Sequence, residues 1–466
     1  MRLGDFWPFR LRPKKVAHEW NPDSGIELRV GDATFAALSR HLEDTTHGEE
    51  AVFVFCGYSR TGRRDTLLVR EWLPIPQSAK VRQGGEYGLE WTAEFSASVL
   101  AKADHAAAAV VLVHSHGYST RPTLSAPDRK SADRLFPGFS RILPGKPSGS
   151  VVLGAHAAVG EFWRDGLHIG QLAALRVVGS PIDVWRRMPP NPSKLVAKRR
   201  HDRMIQAIGP ESEAKLAAAS VAVIGLCGGG SHVCQQLAHM GVGRIVPIDD
   251  DIVEDVNLGR MVGSTPSDVN KRLKTEVMRR LIHTIDPGID VEVVPYRFPS
   301  VQSLRALLSV DLVIACVDSF LVREQINTFC RRHHLPLIDI GLGINSEDGK
   351  LVTAHGQLAV VTPDAACLRC GPLLSDAVLA KERTERPPGY DNNPYAQGAP
   401  QVISMNGVLA SEAANSALDF VTGYSGGKRG AGWWLYDGRI GSMTPCEKIA
   451  RRVGCPACAE QALGDA

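Results

Sequence analysis

Residues 51–58, AVFVFCGY, are apolar almost without a break, and similar density returns in DTLLVREWLPI (65–75), AAVVLVHSHG (108–117) and SVVLGAHAAVGEFW (150–163). Short apolar runs bounded by polar residues predict buried strands. Between them, DATFAALSRHLED (32–44) has the spacing of a helix with one buried face. Further along the rhythm changes. SVAVIGLCGGGSHVCQQLAHMGVGRIVPIDDDIVE (220–254) reads as strand, Gly-rich turn, helix and strand, and DLVIACVDSF and LPLIDIGLG add two buried strands. Such alternation predicts a mostly parallel sheet with helices on its faces. The Pro-rich, basic RRMPPNPSKLVAKRRHD separates the two blocks. The chain is therefore expected to be α/β throughout: a first domain over 25–185, a linker over 186–200, and a Rossmann-like domain over 201–466. The polar ERTERPPGYDNNPYAQGAP (382–400) predicts a loop over a site.

Bulk properties narrow this only a little. A chain of 466 residues is long enough for two or three cores. With 53 Lys and Arg against 50 Asp and Glu, the net charge is +3, which gives no reason to expect nucleic acid as a partner. The apolar run AAAAVVLV is far short of the ~20 residues that cross a bilayer. MRLGDFWPFRLRPKK lacks the apolar stretch of a secretory signal. Four of the ten cysteines form two Cys-x-x-Cys pairs, which favours metal over disulfides. The expectation is a cytoplasmic protein that needs no membrane.

Candidate chemistry begins at the mouth of a strand. His114 and His116 are two apart, so on extended chain they face the same way. Asp128, returning from the next helix, would complete two imidazoles and a carboxylate. Three protein ligands plus a water form an open, catalytic zinc site, and zinc brings the water's pKa to about 7. Ser125 would donate to the developing oxyanion. A surface loop with two histidines and a helix-capping Asp shares part of this pattern; the attached Ser-x-x-Asp favours the metal.

His-Ser-His, eight residues, then Ser-x-x-Asp resembles the JAMM motif of JAB/MPN-type metallo-isopeptidases, which cleave after the C-terminal glycine of ubiquitin or ubiquitin-like proteins. That family carries a glutamate on an earlier strand, often with Gly seven residues on, and Glu50 has Gly57 at that offset. The resemblance spans roughly residues 25–175. It implies a JAB/MPN-type α/β domain with a curved sheet flanked by helices, and Glu50 as the base that takes the proton from the zinc water. Glu49, pointing the other way on extended chain, is the runner-up.

A Gly-rich turn after a buried strand, VAVIGLCGGGSH, offers backbone amides and a helix N-terminus to phosphate, as in any dinucleotide fold. IDDDIVEDVNLGR then resembles the Asp-x-Asp…Asn-Leu-x-Arg segment of ubiquitin-activating enzymes and their bacterial ThiF/MoeB relatives. This implies a phosphate loop of Gly225, Gly228 and Gly230, with Cys227 where glycine is usual. It further implies Asp249 on the ATP ribose with Asp251 as its partner, and Asn257, Arg260 and Lys274 on the triphosphate. Asp318 would hold Mg²⁺, with Ser319 where Asn is usual. Arg203 would reach the triphosphate of a second copy, which implies a homodimer. The implied reaction adenylates a C-terminal glycine carboxylate, with magnesium and the cations neutralising departing pyrophosphate.

Cys367-Leu-Arg-Cys370 and Cys455-Pro-Ala-Cys458 predict a closed tetrahedral zinc, as in the same relatives; a redox role for either pair is the lesser reading. Cys446 is read as packing. The 382–400 loop has no cysteine, and Cys227, Cys234, Cys316 and Cys330 read as small hydrophobes, so no thioester on this chain is expected. The combined expectation is an enzyme of a bacterial ubiquitin-like system that activates a Gly-ended protein with ATP and cleaves after the same glycine, using one catalytic zinc, one structural zinc and ATP with Mg²⁺. A conjugating enzyme would be its further partner. The alternative purpose is activation of a sulfur-carrier protein, with a sulfurtransferase as partner.

Overall fold

The structure is a computed structural model that describes residues 25–43, 50–60, 65–82, 90–117, 119–186, 199–385 and 400–465. Glu49, most of the 186–200 linker and most of the 382–400 loop lie outside the described residues.

The first domain contains β1 (Ile26–Gly31), α1 (Asp32–Glu43), β2 (Ala51–Ser59), β3 (Thr66–Pro74), β4 (Lys80–Arg82), β5 (Glu90–Trp91) and α2 (Ala93–His105). It continues with β6 (Ala109–Ser115), α3 (Ala126–Ile142), β7 (Ser148–Leu153), β8 (Ala158–Arg164), β9 (Leu167–Val178) and β10 (Asp183–Trp185). Eight strands run in the order β1-β3-β2-β6-β7-β8-β9-β10, with β4 and β5 pairing separately. The curved sheet expected from the sequence goes further than curving: β1 also pairs in parallel with β9, so the sheet closes into a barrel. Closure removes exposed strand edges and packs one set of alternating residues inside. Val52, Val54, Val111, Val113, Val151 and Phe162 form that set. The opposite set, Phe53, Phe55, Val110 and Leu112, packs against Phe136 and Phe139 of α3. The single strand suggested by SVVLGAHAAVGEFW is two, β7 and β8, hinged at Gly154–Ala157 with His156 at φ +54°.

The second domain begins with α4 (Asp202–Ile208), α5 (Pro210–Ala218), β11 (Ser220–Ile224), α6 (Gly228–Met240), β12 (Arg244–Ile248), α7 (Lys274–Ile285), β13 (Asp290–Val291) and α8 (Val301–Leu307). Then come β14 (Leu312–Ala315), α9 (Phe320–Arg332), β15 (Leu337–Glu347), β16 (Lys350–Val361), α10 (Asp376–Glu385), α11 (Ile403–Thr422), β17 (Gly432–Asp437), β18 (Ser442–Pro445) and α12 (Pro456–Ala459). The sheet order is β13-β12-β11-β14-β15-β16-β17-β18. The pairings from β13 to β15 are parallel, whereas β16, β17 and β18 add on antiparallel. β12 and β14 are buried along their whole length, and β11 from its second residue, because helices cover both faces. Chain order reverses between β11 and β14, the switch point at which open α/β sheets bind ligands. Among the described residues no helix is long and apolar enough to cross a membrane.

Candidate functional site

The phosphate loop leaves the carboxyl end of β11, beside the switch point. Gly225 has φ +86°, and a Cβ there would lie 2.8 Å from the Cys316 carbonyl oxygen. At Gly230 a Cβ would fall 1.9 Å from the Gly225 carbonyl oxygen, so the turn closes only on glycine. Gly228 starts α6, whose N-terminal amides face the loop. Cys227 occupies the position before it without distorting this geometry into a left-handed turn, at φ −95°.

Asp249, at the end of β12, is nearly buried, and its two oxygens accept from the Leu226 amide (2.8 Å) and the Asp251 amide (2.9 Å). It braces the phosphate loop, and burial pushes its carboxyl above the ordinary range. Asp251 is largely exposed and holds the buried Lys274 ammonium at 2.6 Å, with Asp249 at 3.9 Å. Burial opposes the Lys274 charge, yet these two carboxylates keep it above its usual value. The ammonium is thereby preset at the loop. Asn257 is buried, and its Oδ1 accepts from the Glu254 amide at 3.0 Å. Arg260 donates to the Val256 carbonyl. Asp318 is exposed between β14 and α9, on the same carboxyl edge as the loop. Arg203 is exposed on α4.

Sequence reading missed what braces the Asp318 turn. Arg323, 4% exposed, pairs with the fully buried Asp339 and donates to the Val317 and Ile340 carbonyls. It thereby staples the β14–α9 turn to β15. CVDSFLVREQIN includes this arginine, but its partner on β15 follows only from the register of the sheet.

The four expected cysteines do converge. Cys367 Sγ lies 3.8 Å from Cys370 and 3.6 Å from Cys455 and Cys458, Cys370 lies 3.6 Å from Cys458, and all four sulfurs fall within 4.8 Å of one another, so those contacts are far too long for disulfides. Four thiolates at the usual ~2.3 Å around tetrahedral zinc would be about 3.8 Å apart, so the set fits that ion. The hydrogen bond from Cys367, with the Arg331 and Arg451 charges nearby, pulls the Cys458 thiol down to about 4. Cys234 and Cys330 are buried, and burial pushes the Cys234 thiol up to about 12.

In the barrel, antiparallel pairing sets Ala51 of β2 opposite His114 of β6. The His114 and His116 rings lie 5.1 Å apart, and Asp128 reaches both, 3.3 Å from His114 Nε2 and 3.4 Å from His116 Nε2. Those separations match ligands placed ~2.1 Å from a tetrahedral ion. His114 Nε2 is buried and lacks a hydrogen-bond partner, an atom that a metal would satisfy. Burial works against the Asp128 charge, but His114 and Ser125 hold its carboxyl well below the usual range. Ser125 caps α3: its Oγ accepts from the Asp128 amide, while Asp128 accepts from the Ser125 amide at 2.7 Å. The capping and metal-ligand readings of this motif thus describe one geometry, in which the capping box aims the carboxylate.

Glu50, one residue before the Ala51 that pairs with His114, is outside the ligand trio of His114, His116 and Asp128. Its Oε1 accepts from Lys80 Nζ at 2.5 Å, and Oε2 lies 3.6 Å from His41 Nε2 of α1. Neither Lys80 nor His41 carries a sequence signal, because each comes from a segment with its own local period.

Residues 200–457 match the ThiF family, and the chain belongs to it. It is 31% identical over 270 residues to the sulfur carrier protein adenylyltransferase of Thermus thermophilus, covering 56% of this chain and 91% of that protein. With the SAMP-activating enzyme E1 of Haloferax volcanii it shares 31% over 167 residues, 36% of this chain and 58% of that one. Ubiquitin-like modifier-activating enzyme 5 of Drosophila virilis is 29% identical over 215 residues, 43% of this chain. The chain thus spans about half the length of these last two relatives, 58% and 50%. Among solved structures, E. coli MccB aligns at a TM-score of 0.47 and 22% identity, over 56% of this chain and 75% of that one.

Proposed function

We propose that the ThiF-family domain adenylates the C-terminal glycine of a ubiquitin-like or sulfur-carrier protein with ATP. The carrying observation is the joint placement of Gly225–Gly230, Lys274 and Asp318 on one carboxyl edge of the sheet. The similar Thermus and Haloferax proteins, named for a sulfur carrier and for SAMP, support the substrate class. Loop amides and α6 receive phosphate, Lys274 and Arg260 neutralise it, and Asp318 anchors magnesium as pyrophosphate leaves. Asp249 braces the loop and would hold the ribose hydroxyls, with Asp251 as its partner. Arg203 would act on a second copy's triphosphate in a homodimer.

The barrel is read as a JAB/MPN-type domain in which His114, His116 and Asp128 hold zinc and Glu50 receives a proton from the attacking water. The ion would supply a hydroxide at neutral pH. Ser125 aims Asp128 and has its hydroxyl at the site, where it would meet the oxyanion. The two domains would then treat one glycyl carbonyl in opposite senses, activating it in one and freeing it in the other. ATP–pyrophosphate exchange that depends on a Gly-ended carrier tests the first activity, and removal of a tail beyond that glycine tests the second. Exchange without cleavage would leave adenylation standing and remove the isopeptidase reading.

A further inference from the structure

We propose that the metal of the four-cysteine site clamps the barrel onto the ThiF-family domain, gripping it at the start of α1 and the far end of β2.

Both grips extend directly from cysteine-bearing chain. Just ahead of Cys367, the Asp364 carboxylate accepts from the Ala33 amide (2.9 Å), the Thr34 amide (3.2 Å) and the Thr34 hydroxyl (3.1 Å). A residue of the second domain therefore satisfies the orphan amides of the first turn of α1 and opposes that helix's positive end. A Cβ at Gly31 would lie 2.1 Å from the same carboxylate, so the approach is close. Just after Cys458, the segment Ala462–Asp465 lies along β2. The Asp465 amide donates to the Tyr58 carbonyl (3.0 Å), and its carboxylate accepts from the Ser59 hydroxyl (3.0 Å) and the Arg60 amide (2.6 Å). A Cβ on Gly57 would fall 1.8 Å from the Ala462 carbonyl oxygen.

Arg331, 2% exposed at the end of α9, joins the grips to the cluster. Its guanidinium donates to the Thr362 and Ala365 carbonyls on either side of Asp364, to Gln461, and to Cys458 Sγ at 3.7 Å. Its own carbonyl accepts from the Ala462 amide. Four thiolates around a divalent ion carry a net charge of −2, and a buried guanidinium is the matching counter-charge. A structural zinc contributes far more to the fold it closes than any one of these hydrogen bonds does. The ion joins Cys367–Cys370 to Cys455–Cys458 and thus sets both grips at once. Other contacts between the domains do not pass through the cluster: His334 to the Val69 carbonyl, the Ile182 amide to the Phe420 carbonyl, and Arg176 to Asp311. Metal loss should therefore loosen two places on the barrel and leave β9 seated. Those places are the start of α1, which carries His41, and the far end of β2, which Glu50 immediately precedes.

The test is hydrogen–deuterium exchange on the full chain carrying His116→Ala, which confines metal to the cysteine site, before and after a chelator removes the ion as verified by elemental analysis. The expected result is at least tenfold faster exchange at residues 32–36 and 56–60, with 172–178, 221–224 and 312–315 unchanged. Asp364→Ala with metal retained should accelerate 32–36 alone. Unchanged exchange at both grips overturns the proposal. So does equal acceleration in β11 and β14, which would make the ion a requirement of the whole domain, and so does a silent Asp364→Ala.

Discussion

Lys80 Nζ lies 2.5 Å from Glu50 Oε1, and the two side chains are 1% and 7% exposed. Removing one partner of a buried ion pair leaves the other without compensation. Lys80 holds one Glu50 oxygen and so fixes the carboxylate's orientation. Lys80→Met should therefore lower tail cleavage tenfold or more, within the range general-base catalysis contributes, while zinc content stays at the wild-type level. Cleavage assays paired with metal analysis check this. Wild-type turnover in the variant would reduce the ion pair to packing.

Glu50→Gln should abolish cleavage with zinc still bound, because Glu50 lies outside the ligand trio. Loss of metal in that variant, measured by elemental analysis, would make Glu50 a ligand instead.

Asp318→Ala should stop ATP–pyrophosphate exchange and leave tail cleavage intact, since the residue lies on the carboxyl edge of the second sheet. Lys274→Ala should weaken exchange and also disturb the loop, because Asp249 and Asp251 lose their shared cation. Isothermal titration with a non-hydrolysable ATP analogue separates the two, with the larger affinity loss expected for Lys274→Ala.

The network between the domains predicts an acid transition. Glu27 is buried between Arg29 and Arg176, and Arg176 also pairs with Asp311 of the second domain. Burial opposes its charge, but the two arginines bring its pKa down to about 2 from 4.5. Because the folded value is the lower one, this contribution is complete above about pH 4.5 and is lost as pH falls toward 2. The shift corresponds to roughly 3 kcal/mol. Glu27→Gln should destabilise the protein at neutral pH and flatten the pH dependence of chemical unfolding between pH 4.5 and 2. A slope equal to wild type over that window would assign the acid sensitivity elsewhere.

Much of this was legible in the chain. The Gly-rich turn, the histidine pair and both Cys-x-x-Cys pairs can be picked out in the chain, because each depends on contacts a few residues apart or on a strand-to-turn junction. What escaped depends on long-range register. Closure of the barrel through β1 and β9 joins residues near 26–31 to 172–178, and no local period encodes that pairing. Lys80 reaches Glu50, Arg323 reaches Asp339 and Arg331 reaches Cys458 from helices or strands whose sequences read as ordinary charged surface. The bonds from the Leu226 and Asp251 amides to Asp249 likewise depend on how the turn folds back on β12.

Intact mass spectrometry of the purified zinc-loaded chain, mixed with a ubiquitin-like protein whose C-terminal glycine is followed by a short tail, tests the account most directly. Without ATP the tail should disappear, leaving the glycine exposed; with ATP and Mg²⁺ the trimmed protein should gain the mass of an adenylyl group. A carrier that keeps its tail, and a pre-trimmed carrier that gains no mass with ATP, would contradict the account.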